Sequence, residues 1–191
     1  MTDGLESGDV YGATIERIKA QDGGKSRLGM AALMWISHAE RPLRADELYH
    51  ALAVEIASAD FNIGNVPSMS TLVACCLGLI TVDKEASTVR LIHFTLQEYL
   101  SARHNVLFRR PHSAIAEICL TYLNSQQVKA LSAGASHDAQ DMPFLEYCST
   151  YWGIHAKRDF SNYARSLALD LLKGDYGEIP TRSLKGRVDP D

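Results

Sequence analysis

Apolar residues recur along this chain mostly at helical spacing, with one short interruption of β character. Val10, Tyr11, Thr14, Ile15 and Ile18 share a stripe that predicts a helix over residues 9–20, and Asp22-Gly23-Gly24 breaks it. Leu28, Ala31, Ala32, Trp35 and Ala39 predict a second helix over 26–38, closed by Arg41-Pro42, because the residue before a proline avoids the helical region. A third helix is expected over 45–56, with Asp46 and Glu47 in its first turn, where acidic charge suits the helix dipole, and Leu48, Leu52 and Ile56 facing inward. After a loop over 57–67, the nearly all-apolar segment 69–77 predicts a short central helix.

The clearest β signal follows. Residues 79–83 and 88–93 are rich in Leu, Ile, Val and Thr and flank a polar stretch at 84–87, so they read as a hairpin. Thr95-Leu96-Gln97-Glu98 then fits a capping box, with Phe94 and Tyr99 placed for a hydrophobic staple, predicting a helix over 96–103. Further helices are expected over 112–124, with Ile115, Ile118, Cys119, Tyr122 and Leu123 on one face, and over 143–156, with Phe144, Tyr147, Tyr151, Trp152 and His155 on an aromatic stripe. Between them, 125–141 reads as a long polar loop. Ser161 can cap a last helix to about residue 173, with Leu167, Leu171 and Leu172 inward, and 174–191 reads as a linker or tail. Three helices followed by a hairpin are the order of a winged helix. The fold class expected is therefore mainly α: a winged helix at 25–104, a leader helix and turn at 1–24, and a helical extension at 105–173.

Composition narrows the possible functions. With 46% apolar residues the 191-residue chain can build a core, and its net charge of -4 disfavours a nucleic-acid partner. The first nine residues are acidic and Gly-rich, unlike a signal peptide, and the longest apolar run, 72–80, is too short to span a bilayer. No membrane partner is expected. Cys75, Cys76, Cys119 and Cys148 form no CxxC pair and no zinc spacing with histidines, so they read as reduced core residues of a cytoplasmic protein with no metal site.

Two local motifs carry less than they suggest. Gly23-Gly24-Lys25-Ser26 resembles the end of a phosphate-binding loop, but Lys19 stands where the first glycine belongs and a helix precedes it, so an interhelical turn is expected. Ser136-His137-Asp138 are neighbours in a polar loop, where adjacent side chains point apart and form no relay. The third helix of the motif, 69–77, has no Lys, Arg, Asn or Gln to read base edges, and Lys84 and Arg90 of the wing are offset by Asp83 and Glu85. No catalytic residue is expected, and the chain reads as a non-enzyme. His93 stands out at the strand-to-helix corner: it is either a core-edge histidine on the side of Val89 and Leu91 or a phosphate contact beside a helix N-terminus.

One resemblance covers most of the chain. Trp35 to Leu43, Glu47-Leu48, Ala51 to Glu55, Cys76 to Ile80, Val89 to Leu100, Ile118 to Leu123, Pro143 to Tyr147 and Tyr151-Trp152-Gly153 together resemble the winged-helix segment of fungal NACHT-domain, NLR-like signalling proteins. That segment type carries the name GPI inositol-deacylase winged helix, although no lipase serine motif is present here. The resemblance implies a nucleotide-binding NACHT domain upstream as partner in cis, and ankyrin or WD40 repeats downstream. It implies a role like that of the signal-transducing (STAND) ATPases of fungal non-self recognition, with ADP or ATP on the upstream domain and no cofactor in this chain. His93 matches the histidine that touches the nucleotide phosphate in such proteins, while Phe94 stands where plant relatives have aspartate. The expectation is a regulatory module controlling an ADP/ATP switch. The alternative is a scaffold or protein-interaction module, and a DNA-binding winged helix is disfavoured by charge.

Overall fold

The computed structural model describes residues 3–56, 58, 61–132 and 141–173. Helices α1 (Asp3–Lys19) and α2 (Gly23–His38) are followed by a two-residue strand β1 (Leu43–Arg44), α3 (Ala45–Ala53) and α4 (Met69–Cys75). Strands β2 (Ile80–Asp83) and β3 (Thr88–Leu91) then lead into α5 (Phe94–Ala102) and α6 (His104–Leu107). The extension comprises α7 (Pro111–Asn124), α8 (Gln126–Ser132), α9 (Leu145–Arg158) and α10 (Asn162–Lys173). This is a mainly α fold with a small antiparallel sheet, a winged helix continued by a helical extension.

The hairpin belongs to a sheet of three strands in the order β1-β3-β2. Ile80 pairs with Leu91 and Val82 with Val89, while Leu43 joins Val89 from the other side. β1 is only two residues long, below the length at which alternation is a signal, which is why the sequence pattern does not reveal it. The wing turn is held by Asp83, whose Oδ1 accepts from the backbone N–H groups of Glu85 and Ala86 at 3.1 Å. Such side-chain acceptance is the usual reason an aspartate opens a turn.

A continuous cluster of buried side chains runs from Ile15 and Ile18 of α1 through Trp35, Leu48, Leu72, Val89 and Leu100 to Cys119, Phe144 and Cys148 of the extension. Trp35 meets Phe144 and Tyr147 edge-on, with ring centroids 5.5 and 6.0 Å apart. Contacts of this kind add about 0.5–1.5 kcal/mol beyond area burial, so the aromatic residues of α9 bind the extension to the winged helix. All four cysteines are buried and free. Burial pushes the Cys76 thiol up to about 12, as expected of inert core thiols.

Helices α2 and α4 approach closely at Gly29. A Cβ there would meet the Cys75 carbonyl oxygen at 2.7 Å and Ile18 Cγ2 at 3.0 Å. The same carbonyl accepts from Gln21 Nε2 at 2.8 Å. α4 ends at once in a left-handed turn, Leu77 at φ 48° and Gly78 at φ 80°, and the glycine takes the second of these positions without strain.

Several expectations are corrected. Gly23 and Gly24 lie in the first turn of α2 rather than in a turn between helices, with Asp22 at the N-cap. α3 stops at Ala53, leaving Ile56 exposed instead of inward. Part of the expected loop at 125–141 is helical: Ser125 receives the Val128 N–H on its hydroxyl and Val128 is buried, giving α8 its start and its anchor. Ser161 does cap α10, accepting from Ala164 N–H at 2.9 Å. Leu167 and Leu171 pack inward as expected, beside the buried Ala164 and Ala168, whereas Leu172 points outward. The serine–histidine–aspartate run at 136–138 and the tail at 174–191 lie outside the described residues.

Candidate functional site

His93 sits at the corner between β3 and α5, as its position in the sequence implies, but in the role expected of Thr95. It is the N-cap of α5: its Nδ1 accepts from the Thr95 N–H at 3.3 Å. Thr95, one position inside the helix, instead shares its hydroxyl with Tyr11 at 2.9 Å, tying α1 to α5. The expected staple does not form, because Phe94 is 68% exposed and Tyr99 packs edge-on against Tyr11 at 5.8 Å. His93-Phe94-Thr95-Leu96 has no capping-box pattern, so the local rule favours Thr95. Only the tertiary demand on Tyr11 and Thr95 fixes the register.

His93 and its neighbours Ile92 and Phe94 are all exposed, and the His93 and Phe94 rings lie 4.8 Å apart. The reading face of α4 is also plain. Ser68 caps it, Ser70 and Thr71 are exposed, and the helix carries no charge. On the wing, Arg90 is paired with Asp83 at 3.4 Å. The nearest cation to α4 among the residues lining its hollow is Lys25, beside Ser70 and Thr71, and α4 itself adds no charge to it.

The densest set of titratable groups lies elsewhere, where the winged helix meets the extension. Glu40 follows the end of α2, His112 stands in the first turn of α7, and His155 lies in the last turn of α9. Arg110, in a left-handed conformation at φ 54°, precedes Pro111 and turns the chain into α7. Its guanidinium pairs with Asp159, just past α9, which fixes the two helix ends side by side.

At this junction the two imidazoles face each other, His112 Nδ1 to His155 Nδ1 at 2.9 Å. His155 Nε2 meets the Tyr147 hydroxyl at 2.9 Å, and that hydroxyl accepts from the Glu40 backbone N–H at 3.1 Å. Arg158 holds the Glu40 carboxylate at both oxygens, and His155 Nε2 lies 3.9 Å from Glu40 Oε1. His38 stands beside them. Its Nδ1–H donates to the Met34 carbonyl, and its ring is edge-on to His104, Phe108 and His112.

The electrostatics of this junction keep the histidines neutral. Burial, then the neighbouring His112, pushes His155 down to about 4. Burial outweighs the Met34 hydrogen bond and brings His38 down to about 4 as well. His112 is lowered by burial and by the Arg158 charge. Removing water penalises an imidazolium, and clustered imidazoles cannot charge together. Neutral imidazoles have a free lone pair, so they can accept a proton or ligate a metal.

Sequence reasoning places His155 on an aromatic stripe and gives Glu40 and His112 no role. Their convergence spans 43 residues between the histidines alone, and no local period reports it. A further buried histidine, His50, meets the Tyr122 hydroxyl at 2.9 Å and is lowered by burial. It serves the core.

Compared with known families, the chain matches the model of the GPI inositol-deacylase, winged helix domain, over residues 15–122. No curated protein and no solved structure matches the chain. The family match corrects the expectation built on NACHT-type signalling ATPases. The family found is the GPI inositol-deacylase winged helix, and nothing in it ties the chain to a nucleotide-switching ATPase, to an upstream NACHT partner, or to a part in non-self recognition. His93 Nδ1 caps α5, and its ring is exposed.

Proposed function

The chain belongs to the GPI inositol-deacylase winged-helix domain family, and from that premise we propose that it is a non-catalytic accessory domain that acts through protein contact. The observation that carries this reading is the contrast between the two surfaces a winged helix can use. Helix α4 itself is uncharged and its exposed side chains are small, with Lys25 beside them, while the corner after the wing presents Ile92 and Phe94 to solvent. Apolar side chains this exposed beside a rigid cap suit a protein surface better than a phosphate backbone. The histidines that could do chemistry are turned inward, and His155 is 0% exposed, which favours a structural role over turnover of a lipid substrate.

We place the domain in a reducing compartment, the cytoplasm. Four free buried thiols support this, with Cys119 and Cys148 in contact in the core. Among the described residues no helix is long and apolar enough to cross a membrane.

The test is to offer the purified chain an inositol-acylated phosphatidylinositol and, separately, duplex DNA at low salt. Neither hydrolysis nor binding is expected. Turnover of the lipid, or salt-sensitive DNA binding, overturns the proposal. Phe94→Ser should leave the melting temperature within about 2 °C, as for an exposed side chain not needed by the core. A larger loss would assign Phe94 to the core and remove the contact surface.

A further inference from the structure

We propose that Glu40, His112 and His155 form a binding site for a divalent first-row transition ion, held by one nitrogen of each imidazole and a carboxylate oxygen of Glu40. Three elements that are distant in sequence bring one ligand atom each within 4.8 Å of the others. Two imidazoles and one carboxylate are a donor set that such ions take, with positions left open for water.

The spacing of the two nitrogens is informative. Metal–nitrogen bonds of about 2.0–2.1 Å at a right angle put the two donor atoms about 2.9 Å apart, while a tetrahedral angle needs roughly 3.3 Å. The observed separation is 2.9 Å, the value for adjacent corners of an octahedron. Little rearrangement of either ring is required.

The surroundings supply what a ligating histidine needs. Ligation through Nδ1 leaves the proton on Nε2, and in His155 that nitrogen already faces the Tyr147 hydroxyl at 2.9 Å. The hydroxyl is fixed in turn by the Glu40 N–H. A second layer of this kind sets the tautomer and the ring orientation. Neutral imidazoles also bind without first losing a proton. The groups facing the site are His38 from α2, His104 from α6, Tyr147 and Arg158 from α9, and Asp159 just after it.

Arg158 is the one group opposed to the ion. It occupies the Glu40 carboxylate, but its side chain is half exposed and can swing into solvent. Binding then exchanges an ion pair whose Arg158 side is half exposed, and whose Glu40 side is mostly buried, for a coordinate bond. The geometry therefore implies that removing Arg158 tightens the site, an effect that a histidine pair with a purely structural role would not show.

The experiment uses tag-free, chelator-treated full-length chain, titrated with Co²⁺ and, in competition, with Zn²⁺. The wild-type protein should develop a visible ligand-field absorption at one equivalent. His112→Gln should bind at least tenfold more weakly, and Arg158→Ala several-fold more tightly. Absence of the absorption overturns the proposal. So does affinity unchanged in His112→Gln, or a near-ultraviolet sulfur-to-cobalt band showing that the buried cysteines are the ligands. If the glutamine variant fails to fold, the exposed Arg158→Ala decides alone: tighter binding supports the site, and equal or weaker binding overturns it.

Discussion

Replacing Gly29 by alanine sets two opposing effects against each other. In an unconstrained helix interior alanine is better than glycine by about 1 kcal/mol, so helix propensity alone predicts stabilisation. Gly29 instead lies where α2 touches α4, and the new Cβ would stand 2.7 Å from the Cys75 carbonyl oxygen. Ordinary contact requires the two helices to part by roughly 0.7 Å. The carbonyl is poorly placed to yield, since it ends a helix and accepts from Gln21 Nε2 at 2.8 Å. Separation would loosen Ile18, Leu72 and Cys76, all of them buried. Overpacking of this kind costs about 1–3 kcal/mol, which exceeds the propensity gain. The expected net loss is up to about 2 kcal/mol, or a fall of up to about 6 °C in melting temperature. Gly153 provides the control: it lies inside α9, and a Cβ added there would meet nothing within 4 Å. Gly153→Ala should stabilise by about 0.5–1 kcal/mol. Urea denaturation of both variants at fixed pH measures the two signs. If Gly29→Ala stabilises the chain as much as Gly153→Ala does, the close approach of α2 and α4 is wrong.

Two further outcomes are expected. His155 and His38 are held at about 4 in the folded chain against an ordinary value of 6.5. The unfolded chain therefore binds more protons between these values. Stability is full above about pH 6.5 and falls as the pH drops towards 4, with the enclosed His155 contributing on the order of 3 kcal/mol. Thermal melts in the presence of a chelator should show this loss, and His155→Phe should flatten the profile if it folds, whereas an unchanged slope refutes the assignment. Glu47 is 0% exposed and its carboxylate accepts from Arg41 at 2.8 and 2.7 Å and from the Arg44 N–H at 2.8 Å. Glu47→Gln should cost about 2–3 kcal/mol, less than a fully buried pair because Arg41 keeps partial access to water. A loss under about 0.5 kcal/mol by urea titration would show the pair to be incidental.

The part of this structure legible in the sequence is the part governed by near neighbours. α2, α7 and α9 follow their apolar stripes, and Ser161 caps α10 as its position predicts. The hairpin lies where β-branched residues flank a polar turn. The local rule misleads at α5: the cap falls on His93 rather than Thr95, whose hydroxyl meets both His93 Nδ1 and, across 84 residues, the Tyr11 hydroxyl. The short strand β1 exists through pairing with Val89 and Thr88, a partner no local window contains. α8 is short and mostly polar, and Val128 and Leu131 anchor it to the core.

The sequence by itself determined the helical class, the winged-helix order and the inert character of the four cysteines, since periodicity and composition act over a few turns of chain. The tertiary structure decided where the histidines stand. His93, conspicuous in sequence, is an exposed cap, whereas Glu40, His112 and His155 become a cluster only when α2, α7 and α9 pack together. Long-range packing sets both the distances between their atoms and the loss of water that keeps the imidazoles neutral, and neither is encoded in any single segment.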